Sequence, residues 1–248
     1  MATTPTPAPT EQAQIGAMGR IIGALTSPRA TFEDIVRKPS WIIPVVLLTV
    51  IAIIATVVMT QRIGWERIVT QSIDQSPRAA QMSPQQRQQA IEQGAKFGRI
   101  FAYAAAVLGN LVVVLIVAGI FLAAFNSIGG AGTNYKTSMG ITSHAMLPGV
   151  IVGLLMILIL FLKDPESVNI QNPVGSNLGA LLSPETKPWL MSLAGSIDIF
   201  TIWTIILLGI GFSATNPKKI STGKGIGIVV GVWVIWLLIK VGWTAAFS

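Results

Sequence analysis

The sequence predicts an all-α polytopic integral membrane protein, a bundle of about five transmembrane helices with a short interfacial helix before it. Three observations carry this. Of 248 residues, 52% are hydrophobic and only 11% charged, whereas a soluble domain carries about 25% charged residues. Five apolar runs each reach the roughly 20 residues needed to cross the hydrocarbon layer. No stretch alternates in polarity as a membrane β-barrel strand does, which leaves helices to satisfy the backbone in lipid.

The runs lie at about 41–60, 101–125, 139–162, 189–214 and 225–247. Together they make a membrane domain over 41–248. Residues 1–11, rich in Pro and Thr, read as a disordered tail without a basic region leading into an apolar core, so not as a signal peptide. Between tail and domain, 12–40 reads as amphipathic helices at the interface. Ile15, Met18, Ile22 and Leu25 recur at spacings of three and four, which puts them on one helix face. That face meets either lipid headgroups or the protein's own cytoplasmic surface. Ser27-Pro28 then caps and opens a second short helix with Phe32, Ile35 and Val36 inward. Trp41 anchors the first span at headgroup level. In the long loop after it, Ser83 and Gln86 have capping-box spacing. A helix starts there and is free to run on into the second span.

Composition excludes several chemistries. There are no cysteines, hence no disulfide, thiolate metal site or Cys nucleophile. The net charge of +7 sits in short loops between apolar runs, so it reads as a topology signal and as attraction to anionic headgroups, not as nucleic-acid binding. A P-loop is rejected because GKGIG lacks both the leading glycine and the trailing hydroxyl. With one histidine and no G-x-S-x-G, neither a metal site nor an intramembrane serine protease is expected. The reading is a non-enzyme with no cofactor and no metal.

Polar residues inside the runs are the candidate site: Asp198, Lys240, Trp203, Asn110 and His144. A carboxylate in a span costs at least ~2.5 kcal/mol on insertion scales, so it faces a partner or water. Asp198 and Lys240 lie at similar depth on runs of opposite direction, which makes an ion pair one reading. The others are a hydrogen bond from Asp198 to Ser, Thr or a helix end, a proton or ion relay, and snorkelling of Lys240 among Trp233, Trp236 and Trp243. His144 reads as a hydrogen-bonded histidine near the start of its span. Asn110 reads as a helix–helix hydrogen bond. Gly149 with Gly153, and Gly223, Gly227 and Gly231, follow small-xxx-small spacing. They serve either packing within the chain or a dimer face.

Three segments carry a resemblance: LTSPRATFEDIVRKPSWIIPVVLL, YKTSMGITSHAMLPGV, and SIDIFTIWTIILLGIGFSA followed by ISTGKGIGIVVGVWVIW. In this order, over about 24–245, the chain resembles the bacterial branch of the Ypt-interacting protein (YIP) family. The most specific elements are D-x-F-x-x-W (Asp198, Phe200, Trp203) with G-x-G soon after, and S-P-x-x-x-F (Ser27, Pro28, Phe32). The resemblance implies five spans and a cytoplasmic N-terminus. Its eukaryotic members bind Rab-type GTPases in Golgi and endoplasmic-reticulum traffic; this chain lacks their acidic, aromatic N-terminal segment and their D-L-Y-G-P-type signature. The functional expectation is a scaffold or adaptor in the bacterial cytoplasmic membrane. Its expected partners are the lipid bilayer, other membrane proteins and, on the dimer-face reading, a second copy of the chain. A transporter, or an accessory subunit of one, is the alternative.

Orientation rests on clusters, because basic residues divide eight against eight between the two sides, with Lys240 left over. Lys218, Lys219 and Lys224 have no acidic neighbour, and Arg37-Lys38 abuts the first span. Both favour an inside N-terminus. Reporter fusions at residues 1 and 248 are therefore expected on opposite sides of the membrane, and a same-side result would refute the five-span count.

Overall fold

A computed structural model describes residues 15–74, 81–183 and 185–247. The expected tail at 1–11 lies outside them. Among the described residues ten α-helices carry the fold: α1 (Ala17–Thr26), α2 (Pro28–Arg37), α3 (Ile42–Ile63), α4 (Trp65–Asp74), α5 (Pro84–Ala124), α6 (Tyr135–Ala145), α7 (Pro148–Leu162), α8 (Pro188–Ser196), α9 (Ile199–Ser213) and α10 (Thr222–Phe247). Among the described residues there is no strand beyond one isolated bridge. The protein is an all-α polytopic membrane protein.

Among the described residues, four helical stretches are long and apolar enough to cross a membrane: Ile42–Ile63, Pro84–Gly129, Tyr135–Leu162 and Thr222–Phe247. The second comprises α5 and its C-terminal turn. α5 starts where the capping box predicts: the Ser83 hydroxyl accepts from Gln86 N–H and the Gln86 side chain accepts from Ser83 N–H. It then runs unbroken from the aqueous loop through the second apolar run. The third stretch bends at Met146–Leu147, just before Pro148, which has no N–H to give the preceding turn.

The apolar run at 189–214, expected as a single span, is instead two helices. α8 and α9 are separated at Ile197–Asp198. α9 alone has 15 residues and rises about 22 Å, short of the roughly 30 Å hydrocarbon thickness. The break has a local cause in Asp198, described below.

The helices meet around a core of Phe32, Ile35, Phe125, Ile141, Leu207, Phe212, Ile220 and Val229, all essentially sealed from the surface. Phe125 and Phe212 stack with ring centroids 4.4 Å apart. Two glycines set how closely the helices approach. A Cβ on Gly209 would stand 2.7 Å from the Ile226 backbone, and one on Gly225 would stand 2.5 Å from the Gly209 carbonyl oxygen. Contact between α9 and α10 is thus backbone on backbone, which glycine alone permits. Gly211, two residues on, faces the other way: a Cβ there would lie 3.0 Å from the Phe32 ring. The G-x-G element therefore serves two neighbours, and one of them is the phenylalanine of S-P-x-x-x-F.

α1 and α2 form a hairpin docked on α6 and α9. The stripe that docks differs from the expected one. Ile21 and Ala24 are buried against Leu147, Ile15 and Leu25 are half-buried, and Met18 and Ile22 point outward. The register is fixed by Arg20, which the helix turns inward because Asp34 waits there. Arg20 Nε donates to Asp34 Oδ2 at 2.8 Å, while Nη1 donates to the Lys38 carbonyl at 2.9 Å and to Ser40 Oγ at 2.8 Å. The two charged side chains are 7% and 10% exposed. Removing one partner of such a pair strands the other and costs about 3–5 kcal/mol. Arg20→Ala and Asp34→Ala are each expected to lower stability by about that much, and the double variant by clearly less than their sum. Thermal unfolding in detergent measures this; strict additivity would show that the pair does not hold the hairpin.

Candidate functional site

Asp198 sits where α9 begins. A helix start leaves its first N–H groups without intrahelical partners, and in an apolar layer water does not supply them. Asp198 does. Its Oδ1 accepts from Phe200 N–H at 2.9 Å and from Thr201 N–H at 3.0 Å. The Ser176 hydroxyl donates to Oδ2. Around the break, the loop after α7 returns to meet the chain: Leu178 N–H donates to Ile197 O at 3.1 Å and Ile199 N–H to Ser176 O at 3.3 Å. The loop is itself tied down at the same end of the bundle. Arg67 donates to Glu166 O, and Gln71 accepts from Ile170 N–H. Asn172 and Asn177 bond each other in both directions, at 3.1 and 2.9 Å.

Beneath this loop lies a cleft of about 880 Å³ between α5, α7, α9 and α10. Its polar wall gathers at one end, where Asn172, Ser176, Asn177, Asp198 and Thr201 meet. The rest is apolar, with Val113, Val117, Val152, Met156 and Val232 among the lining residues. Val113, Ile116 and Trp236 remain exposed, so the cleft opens sideways toward lipid. At its far end it stops at Phe121, Leu208 and Val229, beyond which the stacked Phe125 and Phe212 fill the bundle. Among the described lining residues Asp198 alone is ionisable.

Among the ionisable and polar residues singled out from the sequence, the structure brings Asp198 and Lys240 to one end of the bundle without pairing them. Lys240 Nζ donates to Ser196 Oγ at 2.8 Å, and no ion pair with Asp198 is among the salt bridges of the described residues. The expected ion pair is therefore corrected. The carboxylate is committed to the start of α9, which is the helix-end alternative. Trp203 lies elsewhere, packed against the main core. His144 is buried in α6, its Nδ1–H donating to Gly140 O at 2.8 Å. Asn110 is half-buried, and no hydrogen bond among the described residues reaches its amide. It stands three residues before Val113, the first residue of α5 that lines the cleft, and is not itself in the lining.

The glycines divide. Gly153 faces Ile51 and Gly149 faces Leu48, so this pair seats α7 on α3. A Cβ on Gly223, Gly227 or Gly231 would meet nothing within 4 Å among the described residues; they form an outer ridge of α10, while Gly225 makes the internal contact. The residues that the sequence did not single out are Ser176, Asn177, Thr201 and Thr204 of the cleft, and the pair Arg20–Asp34. One signal was present for the cleft: Asp198 with Thr201 three residues on, inside an apolar run, has the spacing of an N-cap and its N3 residue. Among the described residues no group of His, Cys, Asp and Glu is arranged to hold a metal.

A bundle of apolar helices, one of them interrupted and capped within its apolar run, defines a polytopic integral membrane protein with a laterally open cleft. The chain belongs to the Yip1 domain family, whose family model matches residues 22–244. It is similar to membrane protein YknW of Bacillus subtilis (strain 168), with 24% identity over 219 residues, 88% of each chain. No solved structure matches it significantly.

The capping role yields a direct test. Asp198→Ala removes the acceptor and is expected to destabilise the protein by about 1–2 kcal/mol, whereas Asp198→Asn keeps an N-cap oxygen and is expected to cost less than half of that. Equal losses in detergent melts would mean that charge, not capping, holds the break.

Proposed function

We propose that this protein is a non-catalytic scaffold or adaptor of the bacterial cytoplasmic membrane, with its N-terminus cytoplasmic, and that it engages other membrane components through its lateral cleft. One observation carries the reading: the cleft is open to the side, apolar over most of its wall and closed at one end by buried phenylalanines. A site of this shape receives something from the bilayer and does not pass it across. The outer ridge of Gly223, Gly227 and Gly231 adds a surface on which another helix packs closely. Neither the family nor the printed name of the Bacillus relative points to catalysis.

The competing reading is a transporter or an accessory subunit of one. It draws on Asp198, which lines the cleft. Against a path through this chain alone stands the Phe125–Phe212 stack below it. Proteoliposomes of the purified protein are expected to stay as tight to protons and monovalent ions as protein-free vesicles. A proton-linked flux that Asp198→Asn abolishes would replace the adaptor reading with transport.

A further inference from the structure

We infer that the cleft holds one zwitterionic phospholipid with a primary ammonium headgroup. Its acyl chains lie along the apolar wall, and its head is held between Asp198 and Lys240. The inference rests on the adaptor reading only in taking the cleft as a binding site; it adds what occupies it.

The wall has the polarity of an amphiphile. From Asp198 through Thr201, Thr204 and Ile205 to Leu208 the lining passes from polar to apolar along α9, a run of about 15 Å. The volume of about 880 Å³ falls within the range of small-molecule sites. The loop that bonds Ile197 and Ile199 roofs the polar end. A partner transmembrane helix, about 10–12 Å wide, would have to continue past that end and meets the roof instead. A lipid ends there.

The charges select the head. Asp198 accepts three hydrogen bonds, and a carboxylate has about four acceptor positions, which leaves one on Oδ2 for a further donor. Lys240 follows the lining residues Val232 and Trp236 at spacings of four along α10, so it stands one turn beyond the lining on the same side of the helix. Its ammonium bonds Ser196, next to the lining residue Gly195, and retains two donors. An anion and a cation thus stand at one end of the cleft, with no ion pair between them among the described residues. A phosphate answers Lys240 and an ammonium N–H answers Asp198. A glycerol headgroup brings no cation to Asp198, and a choline headgroup brings no N–H.

Native mass spectrometry tests this on the full chain, delipidated in detergent and titrated with phosphatidylethanolamine, phosphatidylcholine and phosphatidylglycerol of identical acyl chains. The expected result is a single tight site preferring phosphatidylethanolamine by about tenfold, the scale of one hydrogen bond to a charged group. Asp198→Asn, which keeps the cap, is expected to abolish that preference. Lys240→Gln, at an exposed position, is expected to weaken all three lipids while leaving their order intact. Equal retention of the three lipids, a preference that survives Asp198→Asn, or binding indifferent to Lys240→Gln would each overturn the assignment. These outcomes are separate from the flux measurement. Leaky vesicles overturn the adaptor reading with the lipid preference intact, and lost preference in tight vesicles overturns the lipid alone.

Discussion

A helix that begins inside an apolar layer leaves amide N–H groups with nothing to bond, and lipid offers no remedy. In this protein the carboxylate of Asp198 and the returning loop at 176–178 supply the missing acceptors and donors around Ile197. The arrangement fixes more than the start of α9. It brings a polar loop down onto the bundle and sets the roof of the cleft. It also gathers Ser176, Asn177 and Thr201 at one end of an otherwise apolar cavity. The cost of an ionised group in a span is met by making it the solution to a backbone problem.

The opposite end of the bundle is held by contacts of another kind. Phe32 from the N-terminal hairpin rests against Gly211, and Gly209 on the other face of α9 rests against α10. α9 is therefore clamped between an aromatic ring and a helix backbone, with stacked phenylalanines beside it. The buried pair Arg20–Asp34 holds the hairpin in the register that delivers Phe32. Two sequence elements nearly 180 residues apart prove to be the two halves of one contact.

Much of this was legible in the sequence. The apolar runs, the capping box at Ser83 and the inward Phe32 and Ile35 all follow from period and spacing, and the helices lie there. The split of the fourth run was harder to see, since an acidic residue in an apolar stretch reads equally as a buried charge and as a helix start. Only the loop at 176–178, which arrives from elsewhere, decides between them. Depth matching placed Asp198 and Lys240 together, and they do share one end. Depth, however, says nothing of rotation about the helix axis, and Lys240 turns to Ser196. The glycines of α10 teach the same lesson. Gly223, Gly227 and Gly231 make the longer pattern, yet Gly225 between them makes the contact, because the neighbour lies on its face. The pair of Asp34 with Arg20 joins two helices, and no spacing within either one announces it.

The length of α5 has a mechanical meaning. Its 41 residues make a continuous rod of about 60 Å, roughly twice the hydrocarbon thickness. Where it leaves the membrane, α4 lies against it, with Val69 seated on Gly94 and Asp74 paired to Arg87. The same rod, further in, forms one wall of the cleft through Val113 and Val117. The wall and the outrigger are parts of one unbroken helix. A tilt of about 10° at the membrane surface carries the outer tip about 5 Å over an arm of about 30 Å. A tilt of α5 that widened the cleft would thus be enlarged at its outer end, where α4 packs against it.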